Sequence, residues 1–455
     1  MPSSNDPLIG SLSGRLTEEL ARHGVPGGAA TLCWEDRELS VSSGVSSART
    51  QLPVTAETLF RVGSLTKVLV ATALMLLVQD GKVTLEDPVV RHVPNFALAD
   101  AEAASTVTIA DVLSHRGGWQ GDFIDFTGEN DDALALHVQH MRGLPQIVPP
   151  GQQFSYSNTG YCVLGRIIES VTQEPFESAL RHLVLEAYGV REARFSAAET
   201  ITGWFSVGHA LGDSGAEVMD QWELPRGARP AGGLIATPGG LARFAAAFAA
   251  DGGPLASETR ELMSTPRVDA IGTENLGDQF GLGWFIRDAD GARLISHGGA
   301  VLGQHALMLA VPGARFAITV TANSEGGDAV CESVCRWALS ECLQVAGLGA
   351  NRTEEASQEA KESIAGRYES ALSNVEIECL ADGALRLTAE PRPLAPGWPA
   401  LGPTRASKAR LLTNDVLLLS EGPLSGSRAR VVRSDDGGVA YVRFEGRLAV
   451  PGSAA

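Results

Sequence analysis

The feature that most constrains the fold is a polar segment, residues 349–362, which divides the chain of 455 residues into two unequal parts. This segment, GANRTEEASQEAKE, is rich in charged residues and poor in apolar ones, as expected for a linker. Beyond it, short strands of alternating polarity are separated by Asp-Gly turns, a pattern typical of a small all-β barrel or sandwich. The sequence therefore predicts one domain at residues 1–348 and a second, all-β domain at residues 363–455.

The first part of the chain mixes helical and strand patterns, which predicts an α+β domain. A helix is expected over residues 8–23, and a second, strongly apolar helix over residues 65–79 ends at the Asp80-Gly81 pair. Three alternating stretches within residues 281–323 predict consecutive antiparallel strands.

The composition excludes several classes of partner. The chain carries 54 acidic against 36 basic residues, and its net charge of −18 repels phosphate backbones and anionic membrane surfaces. We therefore expect neither nucleic acid nor a membrane as a partner. The first residues show no basic stretch followed by an apolar one, and the longest apolar run, residues 68–78, is shorter than the ~20 residues of a spanning helix. A cytoplasmic protein is expected.

The cysteines and histidines do not predict a metal site. His137 and His140 have an HxxH spacing, but no nearby carboxylate is placed to complete a set of ligands. We predict neither a metal nor a cofactor. No Cys-x-x-Cys pair occurs, so we expect reduced thiols at all six cysteines: Cys33, Cys162, Cys331, Cys335, Cys342 and Cys379.

A serine and a lysine stand at the start of the apolar helix, in the stretch FRVGSLTKVLV. The chain has only four lysines, and Lys67 lies three residues after Ser64, on the same helix face. In one interpretation the serine caps the helix and the lysine extends along it towards solvent. In the other, the helix N-terminus assists a serine nucleophile, and apolar neighbours lower the pKa of the amine so that it acts as a base.

Two further motifs carry groups that suit acyl transfer. In SYSNTG, the phenol of Tyr156 can relay a proton and the amide of Asn158 can hold a substrate carbonyl; a capped turn is the alternative. In LISHGGA, His297 ends a strand and is followed by Gly298 and Gly299. The missing side chains would let a substrate backbone approach this strand, and one of its N–H groups would form an oxyanion hole with the N–H of the serine.

In the order Ser-x-x-Lys, Tyr-x-Asn and His-Gly-Gly, these motifs resemble the serine β-lactamase and penicillin-binding-protein superfamily, in particular its class C, D,D-peptidase and esterase branch. DVLSHRGGW (residues 111–119) and RPAGGLIATPGGLARF (residues 229–244) extend the resemblance, which covers roughly residues 8–346. It implies a β-lactamase/transpeptidase-like fold, with an antiparallel sheet flanked by helices and an additional all-helical lobe.

The resemblance implies a role for each matched residue. His297 stands where many members have a lysine that binds the carboxylate of β-lactams. The presence of His297 favours substrates without that carboxylate, namely esters, thioesters or amides, over β-lactams. His297 would also adjust how readily Tyr156 gives up its proton. The other implied roles are Ser64 as acylated nucleophile, Lys67 as its base, Tyr156 as proton shuttle, Asn158 as a contact to the substrate amide, and the N–H groups of Ser64 and Ala300 as the oxyanion hole.

Two less constrained predictions concern substrate binding. Trp119, with Phe123 and Phe126, follows a glycine-rich loop, and we expect these rings to line or cover a substrate pocket. In FEGRLAV, Arg447 would reach a peptide carboxylate from the second domain, or it is an ordinary surface arginine.

The chain as a whole is similar to the stand-alone penicillin-binding-protein-type thioesterases, which carry a C-terminal lipocalin-like domain. This similarity implies that a carrier domain of a nonribosomal peptide synthetase delivers a peptidyl thioester, which is released by head-to-tail macrocyclisation. A general esterase, D-aminopeptidase or amidase of the same superfamily shares every motif. A non-catalytic binding or sensor module is a third hypothesis, but the joint presence of Ser64, Lys67 and Tyr156 argues against it.

Overall fold

The computed structural model describes residues 6–212, 215–250, 252–273, 277–346, 357–393 and 402–452. Its helices are α1 (Pro7–Arg22), α2 (Leu65–Gln79), α3 (Val89–His92), α4 (Ala101–Thr106), α5 (Ile109–Leu113), α6 (Ala133–His140), α7 (Asn158–Thr172), α8 (Phe176–Leu180), α9 (Ala197–Thr200), α10 (Arg229–Gly232), α11 (Pro238–Ala249), α12 (Ser257–Met263), α13 (Gly327–Leu343) and α14 (Gln358–Ser363).

The strands of the first part are β1 (Gly27–Trp34), β2 (Arg37–Gly44), β3 (Phe60–Arg61), β4 (Ala193–Arg194), β5 (His209–Gly212), β6 (Gly215–Val218), β7 (Ile235–Ala236), β8 (Val268–Asp269), β9 (Gln279–Phe280), β10 (Phe285–Ala289), β11 (Ala292–Val301), β12 (Gln304–Val311) and β13 (Phe316–Ala322). Those of the second part are β14 (Gly366–Glu369), β15 (Ser373–Cys379), β16 (Leu385–Pro391), β17 (Arg405–Thr413), β18 (Val416–Glu421), β19 (Arg428–Arg433), β20 (Val439–Phe444) and β21 (Arg447–Pro451).

An antiparallel sheet forms the centre of the first part, with the strand order β2-β1-β13-β12-β11-β10-β9-β8. Every residue of β13 is buried, although alternate residues face opposite sides of a sheet. Both faces must therefore be covered. Ile318 packs in one apolar cluster with α1 and α13, whereas Ala317 belongs to the cluster that contains α11. This arrangement confirms the predicted α+β domain with helices flanking an antiparallel sheet.

Helix α2 runs through the middle of the helical layer. Thirteen of its residues are buried, because apolar side chains occur all round the helix and not on one stripe. Its neighbours include α7 and α10, which bring residues distant in sequence to the N-terminal end of α2. No described helix is both long and apolar enough to cross a bilayer.

The second part is a closed barrel of eight antiparallel strands, β14 to β21 in sequence order. The first and last strands close it through the pairs Tyr368–Pro451 and Glu369–Val450. Inward-facing side chains such as Leu387 form a buried apolar cluster that fills the interior. The barrel confirms the predicted all-β, lipocalin-like fold. Residues 349–356 of the predicted linker lie outside the described residues, and α14 occupies most of its remainder, so the domain boundaries stay a prediction.

One buried arginine of the barrel fastens it to the first part of the chain. The side chain of Arg443, on β20, is 1% exposed. Its guanidinium donates to the backbone carbonyl oxygens of Phe154 at 2.9 Å, Asp269 at 3.0 Å and Ile271 at 3.2 Å. Since a buried carbonyl needs a donor, this side chain satisfies acceptors on two segments at once.

Replacing Arg443 by methionine is expected to destabilise the protein by about 2–4 kcal/mol, because three buried carbonyl oxygens lose their donor. Urea unfolding followed by circular dichroism measures the change. Arg410→Met removes an exposed arginine from β17 of the same barrel and is the matched control. Equal unfolding midpoints for the two variants would contradict the role of Arg443.

Candidate active site

Ser64 stands at the N-terminal end of α2, and its hydroxyl makes no capping hydrogen bond to the helix. Instead, Lys67 Nζ lies 3.0 Å from Ser64 Oγ. Lys67 is fully buried and does not extend to solvent. The interpretation of this pair as a helix cap with a solvated lysine is therefore wrong, and the interpretation as a nucleophile beside its base is the one that the geometry supports.

The Lys67 amine has three neighbours at hydrogen-bond distance. It donates to Asn158 Oδ1 at 2.8 Å and to the Ala231 carbonyl oxygen at 2.5 Å, and Ser64 Oγ is the third. Burial lowers the pKa of Lys67 to about 7, so a substantial fraction is neutral near pH 7. A neutral amine has two N–H donors and one lone pair. The amide and carbonyl oxygens use the donors, which leaves the lone pair for the Ser64 proton.

Tyr156 contacts both Ser64 and Lys67. Its side chain makes a hydrogen bond with Ser64, and its ring centroid is 4.9 Å from Lys67 Nζ. The ring of His115 stacks on it at 4.3 Å with an interplanar angle of 29°. Burial raises the pKa of Tyr156, so the phenol stays protonated. It can pass a proton on only while receiving another, as a relay between Ser64 and a leaving group.

His297 is a neutral hydrogen-bond acceptor and not a cation. Its Nδ1 lies 2.6 Å from the Gly298 carbonyl oxygen, which requires the proton on Nδ1 and leaves the lone pair on Nε2. Nε2 is buried and has no hydrogen-bond partner. Burial, and secondarily the charge of Lys67, lowers the pKa of His297 to about 3. The histidine therefore cannot replace the lysine that many relatives use to bind a carboxylate.

Two glycines bring β11 against the segment that carries Ser64. A Cβ on Gly299 would lie 2.0 Å from the Val62 carbonyl oxygen, and one on Gly63 would lie 2.9 Å from the Ala300 backbone nitrogen. Only glycine allows this approach, and Gly63 also has a positive φ of 51°. Ala300 is exposed and adjoins the residue before Ser64, an arrangement that suits the predicted oxyanion hole.

The barrel reaches the site through Arg447. Its Nε and Nη2 atoms donate to the two carboxylate oxygens of Asp122 at 3.0 and 3.2 Å, and its Cζ lies 4.8 Å from the Tyr156 ring centroid. Arg447 is therefore not an ordinary surface arginine. Asn158 Nδ2 also donates to Asp122, at 2.6 Å, so both ends of the Asn158 amide are engaged within the protein. Contacts of Arg447 and Asn158 with a substrate stay predictions.

Trp119 is placed differently from what we expected. Its side chain is 2% exposed, its Nε1 donates to Thr159 Oγ1 at 2.9 Å, and its ring centroid is 5.7 Å from that of Phe96. The expectation that this ring lines a pocket is not supported, because the indole is packed in the core and its N–H has an internal partner. Phe123 packs beside His137 and Phe126 is 64% exposed.

The histidines of the HxxH pair do not converge. His137 is buried, whereas His140 pairs with Asp125 at 2.5 Å. Across the described ranges, no group of three His, Cys, Asp or Glu side chains is placed to hold a metal ion.

The rate of Ser64 acylation should be low in acid and rise through about pH 7, because the neutral form of Lys67 is the base and a lowered pKa makes it available there. Replacing Lys67 by arginine, which stays charged, is expected to cost roughly 10²–10⁴-fold at every pH. Stopped-flow acylation by an activated ester from pH 5 to 10 measures both effects. A flat profile in the wild-type chain would refute Lys67 as the base.

Replacing Gly299 by alanine should slow acylation by roughly 10²-fold, since a Cβ against the Val62 carbonyl would push β11 away from Ser64. Gly143→Ala is the matched control, because a Cβ there has no heavy atom within 4 Å. Acylation rates of both variants at one pH test the effect. Similar rates for the two would show that this close approach is dispensable.

Comparison with known proteins places these observations in a family. A family model described as Beta-lactamase matches residues 12–332. Penicillin-binding protein 4 of Amycolatopsis lactamdurans is 34% identical over 311 residues, which are 66% of this chain and 81% of that protein. The unguisins hydrolase of Aspergillus violaceofuscus is 24% identical over 361 residues, 71% of this chain and 62% of its own length.

Two solved structures show how far the likeness extends. SurE is 25% identical, with a TM-score of 0.77, and the alignment covers 97% of this chain and 99% of SurE. A D-amino acid amidase from Ochrobactrum anthropi is 27% identical, with a TM-score of 0.62, over 72% of this chain and 97% of the amidase. The serine site and the sheet lie within the part matched by the family model. The chain therefore belongs to the beta-lactamase family of serine hydrolases, which includes penicillin-binding proteins.

Proposed function

We propose that this chain is a serine acyltransferase that takes a peptidyl group from a thioester and releases it as a head-to-tail cyclic peptide. The observation that carries the proposal is the arrangement of a serine site followed by a barrel, which agrees with the resemblance to stand-alone thioesterases that have a lipocalin-like domain. The likeness to SurE extends over both parts of the chain. A structure of SurE with D-Leu aligns over the same extent and supports a D-configured residue next to the acyl carbon. The thioester and the carrier-bound delivery follow from the resemblance to stand-alone thioesterases.

Acylation follows from the geometry of Ser64. The lone pair of the neutral Lys67 amine accepts the hydroxyl proton while Ser64 Oγ attacks the thioester carbonyl, and the N–H groups of Ser64 and Ala300 stabilise the oxyanion. When the tetrahedral intermediate collapses, the C–S bond breaks and the thiolate takes a proton from Tyr156, while Tyr156 receives a proton from the Lys67 ammonium. The products are the acyl-enzyme and a free thiol, with Lys67 neutral again.

Deacylation reverses this path with a different nucleophile. The amino terminus of the same peptidyl group attacks the ester carbonyl, its proton passes through Tyr156 to the leaving Ser64 oxygen, and an amide bond closes the ring. The buried state of Tyr156, Lys67 and His297 favours an amine over water, because little solvent reaches these groups. A neutral His297 offers no positive charge to a β-lactam carboxylate. We therefore expect β-lactams to be poor substrates.

A hydrolytic function is the second candidate, and the D-amino acid amidase supports it. That enzyme aligns over nearly its full length with 72% of this chain. The alignment with SurE extends over 97% of this chain and so includes the barrel, which supports the resemblance to thioesterases with a lipocalin-like domain.

The proposal predicts that a peptidyl N-acetylcysteamine thioester with a D-configured C-terminal residue gives cyclic peptide, and that its L-epimer reacts at least about tenfold more slowly, a difference of about 1.4 kcal/mol in the barrier. Liquid chromatography with mass spectrometry separates cyclic from linear product. Ser64→Ala should abolish both products, whereas Ser105→Ala, at an exposed serine of α4, should change neither. Linear acid alone, or rapid cleavage of short aryl esters without turnover of the thioester, would overturn the cyclisation and favour the hydrolase.

A further inference from the structure

The turn between β20 and β21 is inserted into the serine site. The Tyr156 backbone N–H donates to the Gly446 carbonyl oxygen at 2.8 Å, and the Leu448 N–H donates to Ser155 Oγ at 3.3 Å. A Cβ on Gly446, whose φ is 79°, would lie 3.3 Å from Tyr156 Cβ. The segment that carries the phenol therefore rests directly on the barrel.

Asp122 joins this turn to the base. Its side chain is 1% exposed, and its two oxygens together receive two donors from Arg447 and one from Asn158. The hydrogen-bond donors to Asp122 therefore come from both parts of the chain, Asn158 from the first and Arg447 from the second. A buried carboxylate needs a counter-ion, and Arg447 is the basic group that contacts Asp122.

The contact with Asp122 also decides which end of the Asn158 amide faces Lys67. The oxygen and nitrogen of an amide have nearly the same size, so packing alone does not distinguish the two orientations. An ionised carboxylate only accepts hydrogen bonds, so it selects Nδ2 and turns Oδ1 towards the amine. In the flipped orientation, an N–H donor of Asn158 would face the N–H donors of Lys67.

We propose that Asp122 is a positioning residue that orients Asn158 and thereby the Lys67 amine, and that Arg447 of the barrel holds Asp122 in place. The barrel thus completes the catalytic site. This inference rests on the serine acyl transfer of the proposed function and is independent of whether the acyl group is cyclised or hydrolysed.

The two charges of the ion pair act on Lys67 in opposite directions. The positive charge of Arg447 lowers the pKa of the amine, and the negative charge of Asp122 raises it. We call the part of the pH–rate profile in which acylation becomes faster as Lys67 loses its proton the acid limb. Removing Arg447 should therefore shift the acid limb to higher pH, and removing the Asp122 charge should shift it to lower pH. The titratable and charged groups that face Lys67 are Tyr156, Tyr161, Cys162, His115, His297, Asp122 and Arg447.

The test is the rate at which a fluorophosphonate labels Ser64 in the full-length chain, followed by intact-protein mass spectrometry from pH 5 to 10. Asp122→Asn should lower the limiting rate by roughly 10²-fold, because the Asn158 amide loses its fixed orientation. It should also move the acid limb down in pH, because the charge that raises the pKa of Lys67 is removed. Arg447→Met should move the acid limb up. Arg447→Lys retains the charge and should leave the acid limb near its wild-type pH, but it should lower the limiting rate because a lysine cannot make the two-point contact with Asp122.

A partly exposed ion pair of the barrel supplies the controls. Arg433 Nε donates to Asp415 Oδ1 at 2.7 Å, and the other acceptors of Arg433 among the described residues also lie in the second part of the chain. Arg433→Met and Asp415→Asn should therefore label at the wild-type rate with an unchanged pH profile.

Acid limbs that move in the same direction for Asp122→Asn and Arg447→Met, or that do not move, would overturn the positioning role. Matching profiles for Arg447→Lys and Arg447→Met would also overturn it, since they would show that the charge is irrelevant. Absence of labelling in the wild-type chain would overturn serine acyl transfer itself, and this inference with it. Normal labelling without cyclic product would overturn only the proposed macrocyclisation.

Discussion

The burial of one amine organises the site. Lys67 is enclosed because α2 is apolar all round and is covered by α7 and α10, and those same helices supply the oxygens of Asn158 and Ala231 that face it. Desolvating an ammonium is costly, so the buried amine is more easily neutral than a lysine in water. The hydrogen bond to Ser64 then turns this property of the helix packing into a means of activating a nucleophile.

The second part of the chain contributes to the serine site through the turn between β20 and β21. Its interior is filled by apolar side chains, whereas the segment around Gly446 and Arg447 lies against Tyr156 and Asp122. Arg443 fastens the neighbouring strand to the first part of the chain. An apolar-filled barrel is a rigid support, and rigid support is what a site needs when its charges must be held at fixed distances.

The sequence predicted those parts of the site that depend on local spacing. Ser64 and Lys67 lie one helical turn apart and Tyr156 lies just before α7, so motif spacing was sufficient to name them. His297 was also named correctly, but the expectation that it ends a strand is wrong, because β11 continues through the two glycines to Val301. Asp122 was missed because it is one of several acidic residues in residues 121–132, and no local pattern distinguishes the carboxylate that meets a distant arginine. The Ala231 contact uses a backbone carbonyl, which has no signature in the sequence. Trp119 was misplaced because an aromatic residue beside a glycine-rich loop suits a core as well as a pocket.

The ionisation of Lys67 is the property on which this account depends, and the scarcity of lysine makes it directly measurable. The chain has four lysines, so labelling with [ε-¹³C]lysine gives four resonances, and Lys67→Arg identifies one of them by its loss. A pH titration followed by NMR should show the Lys67 resonance shifting at about pH 7 in the folded protein. A Lys67 resonance that titrates near 10.4, the pKa of an ordinary lysine, would contradict the account, because the amine would then be a cation when Ser64 reacts.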